Sequence, residues 1–544
     1  MTAMDTCGPS ALTHSSAALP WSKTSGCWRR SWLARSRTWS FLAFLAVAAA
    51  FVFARAENRY PAALVSALIF FQVQCFLPGC RPVERPPLCP WNWALFVFFL
   101  QLVLLPLSLL VFGPLPGVLP ALPSAFAINL AILINVAAFV AFSGAYHFFW
   151  RRSQAVRERD RLRRATAGQP YHLSPQAKTL AERASPTLAY IGMNAAIGLA
   201  GLVFTFGNFA ALRQYFSNPS RYLDRLPTVP AKFSVAAGLF LRPFLGFALI
   251  LLWCRWLDRA SDRRVKVWSG IVTLFAIPAV CLCDATFRYN RGAMVVPLVA
   301  MVAVILSGVR RFPRRTLAFS SAALLLVLSL MPFYGEFRSS DFTLRQLATD
   351  PRAREFLAGK IDLAEVFQVY AGAPQFLGFF LEQGGWGTRP GWGQVVLSSV
   401  LSPVPILGKP FRQSSGTAIY NRLIYGDSNV ADQIAPFVGE LFLDFHWAGV
   451  LAGFCLLGWA AHKLQSAFEN ARSSIEIFIW QYFAIWTFFL IFGSASVVSQ
   501  VFVYFGWPLY CYLFMFRTQG LAPCKPAPGR ASGLAFKMAG EVRR

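Results

Sequence analysis

The sequence predicts an all-α polytopic integral membrane protein of about 12 transmembrane helices with one large loop on the outer face, and three observations predict it. The 544 residues are 56% hydrophobic and 15% aromatic but only 14% charged, more apolar surface than a soluble core of that length encloses. Apolar runs of about 20 residues, enough to cross a hydrocarbon core about 30 Å thick, recur along most of the chain. Lys and Arg gather in alternate breaks between those runs, the bias that membrane insertion leaves.

Breaks at charged or Pro/Gly-rich stretches place the helices at 38–54, 60–77, 93–113, 125–150, 187–207, 233–254, 267–284, 291–308, 316–334, 441–462, 476–493 and 500–516. An even number of crossings puts both termini on one side. Of the 51 Lys and Arg residues, 33 fall in the terminal segments and alternate breaks, 8 in the short outer loops and 9 in the long outer loop, with Arg242 inside a helix. Both termini are therefore expected in the cytoplasm, and the net charge of +27 is explained by membrane sidedness, with no need of nucleic acid. The ARA at 54–56 resembles a signal-peptidase site, but the basic region before it is long, so the first helix reads as an uncleaved signal anchor.

Five regions follow: a basic cytoplasmic segment (1–37), helices one to nine (38–334), the large outer loop (335–436), helices ten to twelve (437–516) and a basic tail (517–544). The Arg- and Glu-rich break after the fourth helix reads as a solvated face on anionic lipid. A phosphate loop of the G-x-x-x-x-G-K-[ST] type is lacking, which argues against an ATP-driven engine in this chain. The 11 cysteines are scattered without disulfide or zinc spacing, so no metal and no cofactor is expected. The long loop mixes amphipathic pieces with Gly-, Trp- and Pro-rich turns, and loops of that length are usually lids or binding surfaces.

Several polar groups stand where they are costly. Arg242, in LFLRPF, lies within an apolar run, where a guanidinium costs about 2.5–3.5 kcal/mol or more and must face a polar cavity, an anion or a neighbouring carboxylate. Pro243 behind it kinks the helix and frees a carbonyl, as suits a helix bordering a cavity. Asp284, Arg288 and Arg291 are spaced i, i+4, i+7, one face of an extended seventh helix; they either snorkel to the interface or bind an anion there. Glu440 and Asp444 share a helical face by i, i+4 spacing in VGELFLDFHW, and burial there would fit a carboxylate for general-base work. A helix-start role explains Glu440 equally well, and His446 beside Trp447 fits an interfacial aromatic pair. In the loop, Lys409, Arg412 and Arg422 suit phosphate, whereas Tyr420, Trp386 and Trp392 offer faces to sugar rings or pack the loop on the membrane.

Two stretches resemble the bacterial O-antigen polymerases, the oligosaccharide repeat-unit polymerases. SPVPILGKPFRQ (402–413) is similar to the Pro-rich segment ending in Lys-Pro of that family's large periplasmic loop. PFVGELFLDFHWAGVLAGFCLLGWA (436–460) is similar to its Gly-Glu, aromatic-rich stretch followed by a glycine-bearing helix, and Arg291-Gly292 matches an Arg-Gly helix opening. The resemblance covers about 280–465; beyond it, only the topology agrees. Where many relatives show Asn-Phe-Gly, this chain has Asp-Phe-His at 444–446, a departure that bears on Asp444 and His446.

The resemblance implies an integral-membrane glycosyltransferase-like fold in the bacterial inner membrane. It implies transfer of a growing glycan from undecaprenyl pyrophosphate to the terminal hydroxyl of another lipid-linked repeat unit, on the periplasmic side. Arg242, Arg288 and Arg291 would then hold the pyrophosphate, with Glu440, or alternatively Asp284, as base and no metal required. Lys409, Arg412, Tyr420, Arg422, Asp444 and His446 would contact the glycan. Its partners would be lipid-linked oligosaccharides, membrane lipids, a chain-length regulator and a flippase. A ligase that attaches finished glycan to another acceptor has the same outline. A transporter would also need buried arginines, but no internal repeat is visible.

Overall fold

The computed structural model describes residues 26–77, 88–114, 119–166, 186–217, 237–259, 263–285, 291–306, 322, 344–351, 355, 374–384, 390–405, 407–426, 435–471 and 473–517. Every regular element among them is helical. The helices are α1 (Gly26–Phe53), α2 (Pro61–Phe76), α3 (Pro90–Phe112), α4 (Ala125–Thr166), α5 (Leu188–Phe206), α6 (Phe209–Ser217), α7 (Ala237–Asp258), α8 (Arg263–Ala285) and α9 (Arg291–Leu306). Then come α10 (Leu344–Thr349), α11 (Pro374–Gly384), α12 (Gln394–Leu401), α13 (Gly416–Tyr425), α14 (Phe437–Glu469), α15 (Ser474–Phe489), α16 (Ala495–Tyr504) and α17 (Trp507–Arg517).

Each expected helical segment carries a helix except 316–334, which lies outside the described residues apart from residue 322. Among the described residues, α3, α5 and α7, with Ala125–Val156 of α4 and all of α14, are long and apolar enough to cross a membrane. The α16–α17 pair, bent by 58°, supplies a sixth crossing if it counts as one span. Others are shorter. The 16 residues of α2 rise about 24 Å, less than a hydrocarbon core about 30 Å thick.

The bundle is organised on α4, the longest helix at 42 residues, which packs along α14 and also receives α2 and α11. Their approach is close because Gly458 has no side chain: a Cβ there would stand 2.3 Å from the Phe142 carbonyl oxygen. Small residues do the same for α5 and α7, where Gly198 faces Leu245 and Gly201 faces the Arg242 backbone. Around this spine Trp91 stacks on Tyr146 with ring centroids 3.7 Å apart, and Phe98 lies on Phe139 at 4.8 Å.

Lipid offers no partner to a backbone carbonyl, and at Pro106 a neighbouring helix supplies one. Pro106 cannot donate to the Leu102 carbonyl one turn back, α3 widens to a π-turn at Leu100–Leu104, and the Ser66 hydroxyl of α2 donates to that carbonyl instead. At the other end of the bundle, Asp258 closing α7 accepts the Ser474 hydroxyl at 2.6 Å, at the start of α15.

The expected outer loop is not a loose lid in its described parts. Phe376, Leu377, Phe380 and Leu381 of α11 are buried, and the helix lies against α4, with Gly378 over Ala127. Burial of these side chains ties the loop to the bundle at roughly 1.5–3 kcal/mol each.

Candidate functional site

The polar centre of the molecule forms where α14 breaks. His446 has φ +50° and ψ −141°, so 437–445 and 447–469 are two helical pieces rather than one. The break leaves carbonyls without their usual donors. The backbone N–H of Gly391 donates to Leu443 at 3.1 Å, and that of Trp392 to Asp444 at 3.1 Å. Loop and broken span are thus joined through main chain.

Glu440 stands in the first turn of α14 with no exposure to solvent. Its Oε1 accepts the hydroxyls of Ser399 and Ser494, each at 2.8 Å, and Oε2 accepts the Ala495 N–H at 3.1 Å. One carboxylate therefore gathers α12 and the N-terminus of α16, where negative charge is favoured by the helix dipole. A third helix start joins them, since the Gly416 N–H opening α13 donates to Ser399 Oγ at 2.9 Å. A side chain on Gly416 would strike Glu440, its Cβ falling 2.4 Å from Oε1.

Asp444, also fully buried, turns to a different partner. Its two oxygens accept the N–H groups of Val395 at 3.0 Å and Val396 at 2.7 Å, capping α12 across 49 and 48 residues of chain. Gly393, with φ +89°, lacks a side chain where the chain turns into α12.

From Glu440 a chain of hydroxyls leads outward. Thr417 Oγ1 donates to Ser494 Oγ at 3.1 Å, and Ser496 Oγ lies 2.8 Å from Ser494 and 2.9 Å from Thr417. Thr417 and Ser496 are only half-buried, so the chain connects an enclosed carboxylate to the protein surface. These residues escaped the sequence reading. Their signal was Ser or Thr next to an apolar run, the mark of a helix start, as at Ser494 before α16 and Ser415 before α13.

Arg242 is 3% exposed at the turn between the first residues of α7 and Pro243. Its Nε donates to the Gly238 carbonyl at 3.2 Å, and its guanidinium lies 5.9 Å from the Phe206 ring centroid. Tyr504 connects this turn to the loop: its ring lies 5.0 Å from that of Phe240, and its hydroxyl donates to the Pro403 carbonyl at 2.9 Å. The Arg242 turn, the 402–413 segment and the Glu440 centre thus form one connected assembly.

The remaining sequence candidates take varied places. Lys409, Arg412 and Arg422 are exposed, and Arg422 also donates to the Gln413 carbonyl at 3.4 Å. Trp392 is exposed beside Phe445. Tyr420 is enclosed instead: it has no exposure, its hydroxyl donates to Phe376 at 3.3 Å and its ring packs edge-on against Phe380 at 5.2 Å. This burial raises its pKa well above the ordinary tyrosine value and makes the ring part of the loop's core, with no face offered to a sugar. His446 is half-buried, edge-on to Phe442 at 5.4 Å, and serves as the break residue.

Asp284 lies in the last turn of α8 and Arg291 opens α9, while Arg288 and Trp386 lie outside the described residues. Because α7, α8 and α9 pack in succession through short connections, the start of α7, the end of α8 and the start of α9 share one end of the bundle.

No family model matches this chain, and no curated protein or solved structure matches it.

Proposed function

We propose that this chain is a metal-independent glycosyltransferase of the inner membrane, with about twelve crossings, that polymerises undecaprenyl-pyrophosphate-linked oligosaccharide repeat units on the periplasmic face. The observation that carries the reading is the Glu440 centre. One of the two stretches that resemble the repeat-unit polymerases supplies its buried carboxylate, and the residues on either side of the other stretch, Ser399 before it and Gly416 after it, are hydrogen-bonded into the same centre.

The acceptor hydroxyl oxygen forms a bond to the anomeric carbon of the donor glycan as the bond from that carbon to the pyrophosphate oxygen breaks. The acceptor proton passes through Thr417 or Ser496 and Ser494 to Glu440, each hydroxyl accepting one proton and donating its own. Undecaprenyl pyrophosphate departs with the bonding pair, and fixed cations stabilise its developing charge. Arg242 and Arg291, from helix ends at one end of the bundle, with Arg288 between α8 and α9, supply guanidinium groups whose planar fork suits phosphate. Exposed Lys409 and Arg412 lie on the loop that would cover the sugars.

The test uses the purified full chain in vesicles containing a labelled undecaprenyl-pyrophosphate-linked repeat unit. Stepwise growth into polymer supports the reading. Movement of the label across the bilayer without growth would mark a flippase, and transfer of preformed polymer to a different acceptor would mark a ligase; either result overturns it.

A further inference from the structure

The geometry points to a second site, remote from the Glu440 centre, that binds the phosphate headgroup of an anionic phospholipid in a groove between the C-terminal parts of α4 and α14, where Arg152 faces Lys463 across the lining. The groove is a cavity of about 480 Å³, within the range of small-molecule sites. It is lined by Phe149, Arg152 and Ser153 of α4 and by Trp459, His462 and Lys463 of α14, and among the described residues no acidic side chain lines it.

Its place in the fold selects a lipid over a soluble anion. The apolar part of α4 ends at Trp150, and the Arg-rich run begins at Arg151, so the groove sits where the hydrocarbon core gives way to headgroups. Half-exposed Trp459 and Phe149 provide the apolar wall that an acyl chain and glycerol backbone require, and Arg152 and Lys463 provide the charge. The groove is also pre-formed. His462 Nε2 lies 2.7 Å from Ser153 Oγ and pins the helices together, while the Lys463 ammonium rests 5.8 Å from the Trp459 ring centroid, which orients it at the mouth.

Native mass spectrometry of the full chain, with phosphatidylglycerol or phosphatidylcholine added in detergent, reads retention directly. Phosphatidylglycerol should be retained over phosphatidylcholine. Its affinity should fall by about thirtyfold in the Arg152→Gln, Lys463→Gln double variant, two interfacial cations being lost. Gln keeps most of each stem at exposed positions, and Trp459→Leu, which removes the wall without touching charge, should weaken retention several-fold. The charge-matched control, Arg151→Gln with Arg159→Gln on the same helix outside the groove, should leave it unchanged. Equal loss in that control would reduce the effect to general surface charge and overturn the site, as would equal retention of phosphatidylcholine. Displacement of the lipid by stoichiometric glycerol 3-phosphate would assign the groove to a soluble phosphate and overturn the lipid inference.

Discussion

Ser494 donates its hydroxyl to Glu440 at 2.8 Å across 54 residues of chain, in a site where neither side chain is exposed. A carboxylate so placed is both a structural tie and a proton acceptor, and substitutions can separate the two. Glu440→Ala strands two hydroxyls and an N–H and should destabilise by on the order of 3 kcal/mol. Glu440→Gln keeps an acceptor oxygen and the volume, and should cost about 1 kcal/mol. Denaturant unfolding in detergent should show that order. If the carboxylate is the base, Gln also abolishes polymer at normal protein level, whereas long polymer made by the Gln variant removes Glu440 from the chemistry.

The hydroxyl chain predicts a graded effect. Thr417→Val keeps the shape of the side chain but replaces the hydroxyl, which both accepts and donates, by a methyl group. Polymerisation should fall by about one to two orders of magnitude when Thr417→Val and Ser496→Ala are combined, with less loss in either alone, because Thr417 and Ser496 both reach Ser494. Additive or absent loss in single-turnover kinetics would show that the proton leaves by another route.

Asp444 tests the joint between loop and span. Asn retains one acceptor but turns an NH2 group toward the second N–H of the cap. Asp444→Asn should therefore destabilise the start of α12 by about 1–2 kcal/mol. Hydrogen exchange at Val395 and Val396 should accelerate by about tenfold, while amides in the α4–α14 core stay protected. Unchanged exchange would mean that the cap contributes nothing.

How much of this was legible in the sequence depends on the distance over which each feature is decided. Helix positions were legible because they follow from local apolar runs. Arg242 was legible because a guanidinium inside such a run is costly wherever the chain goes. The i, i+4 spacing of Glu440 and Asp444 was legible too, but not that one faces α16 and the other caps α12, since their partners lie 41 to 55 residues away. The break at His446 carried no proline or glycine at that residue to announce it. It is held by Gly391 and Trp392, a tertiary contact that local propensity does not encode. The α11 helix was read as loop for a related reason: its apolar face is short, and only α4 makes it a packing surface.

Arg242 gives a prediction in which stability and activity move apart. Burying a guanidinium is costly even when it is hydrogen-bonded, and an apolar residue of similar size often serves packing as well or better. Arg242→Leu should leave the thermal midpoint unchanged or raised, and Arg242→Lys should lower it slightly by losing the planar contact over Phe206. Under the proposed clamp, Leu abolishes polymerisation and Lys retains a small fraction. Full activity in Arg242→Leu, measured on lipid-linked repeats, would assign the arginine to structure alone.

His446 holds a backbone conformation that L-residues rarely adopt, with φ at +50° beside ψ at −141°. Strain of this kind costs of the order of 1–3 kcal/mol and persists only where the surroundings impose it. Glycine adopts the same angles freely, so His446→Gly should stabilise the chain by up to about 1 kcal/mol despite the greater entropy of the unfolded state. His446→Val should destabilise it by more than that, because a β-branched side chain tolerates positive φ least. The comparison is read by denaturant unfolding at matched detergent. If Gly stabilises while polymerisation persists, the imidazole serves only to occupy the break; if Gly stabilises and polymerisation is lost, the ring is needed at the site for its chemistry.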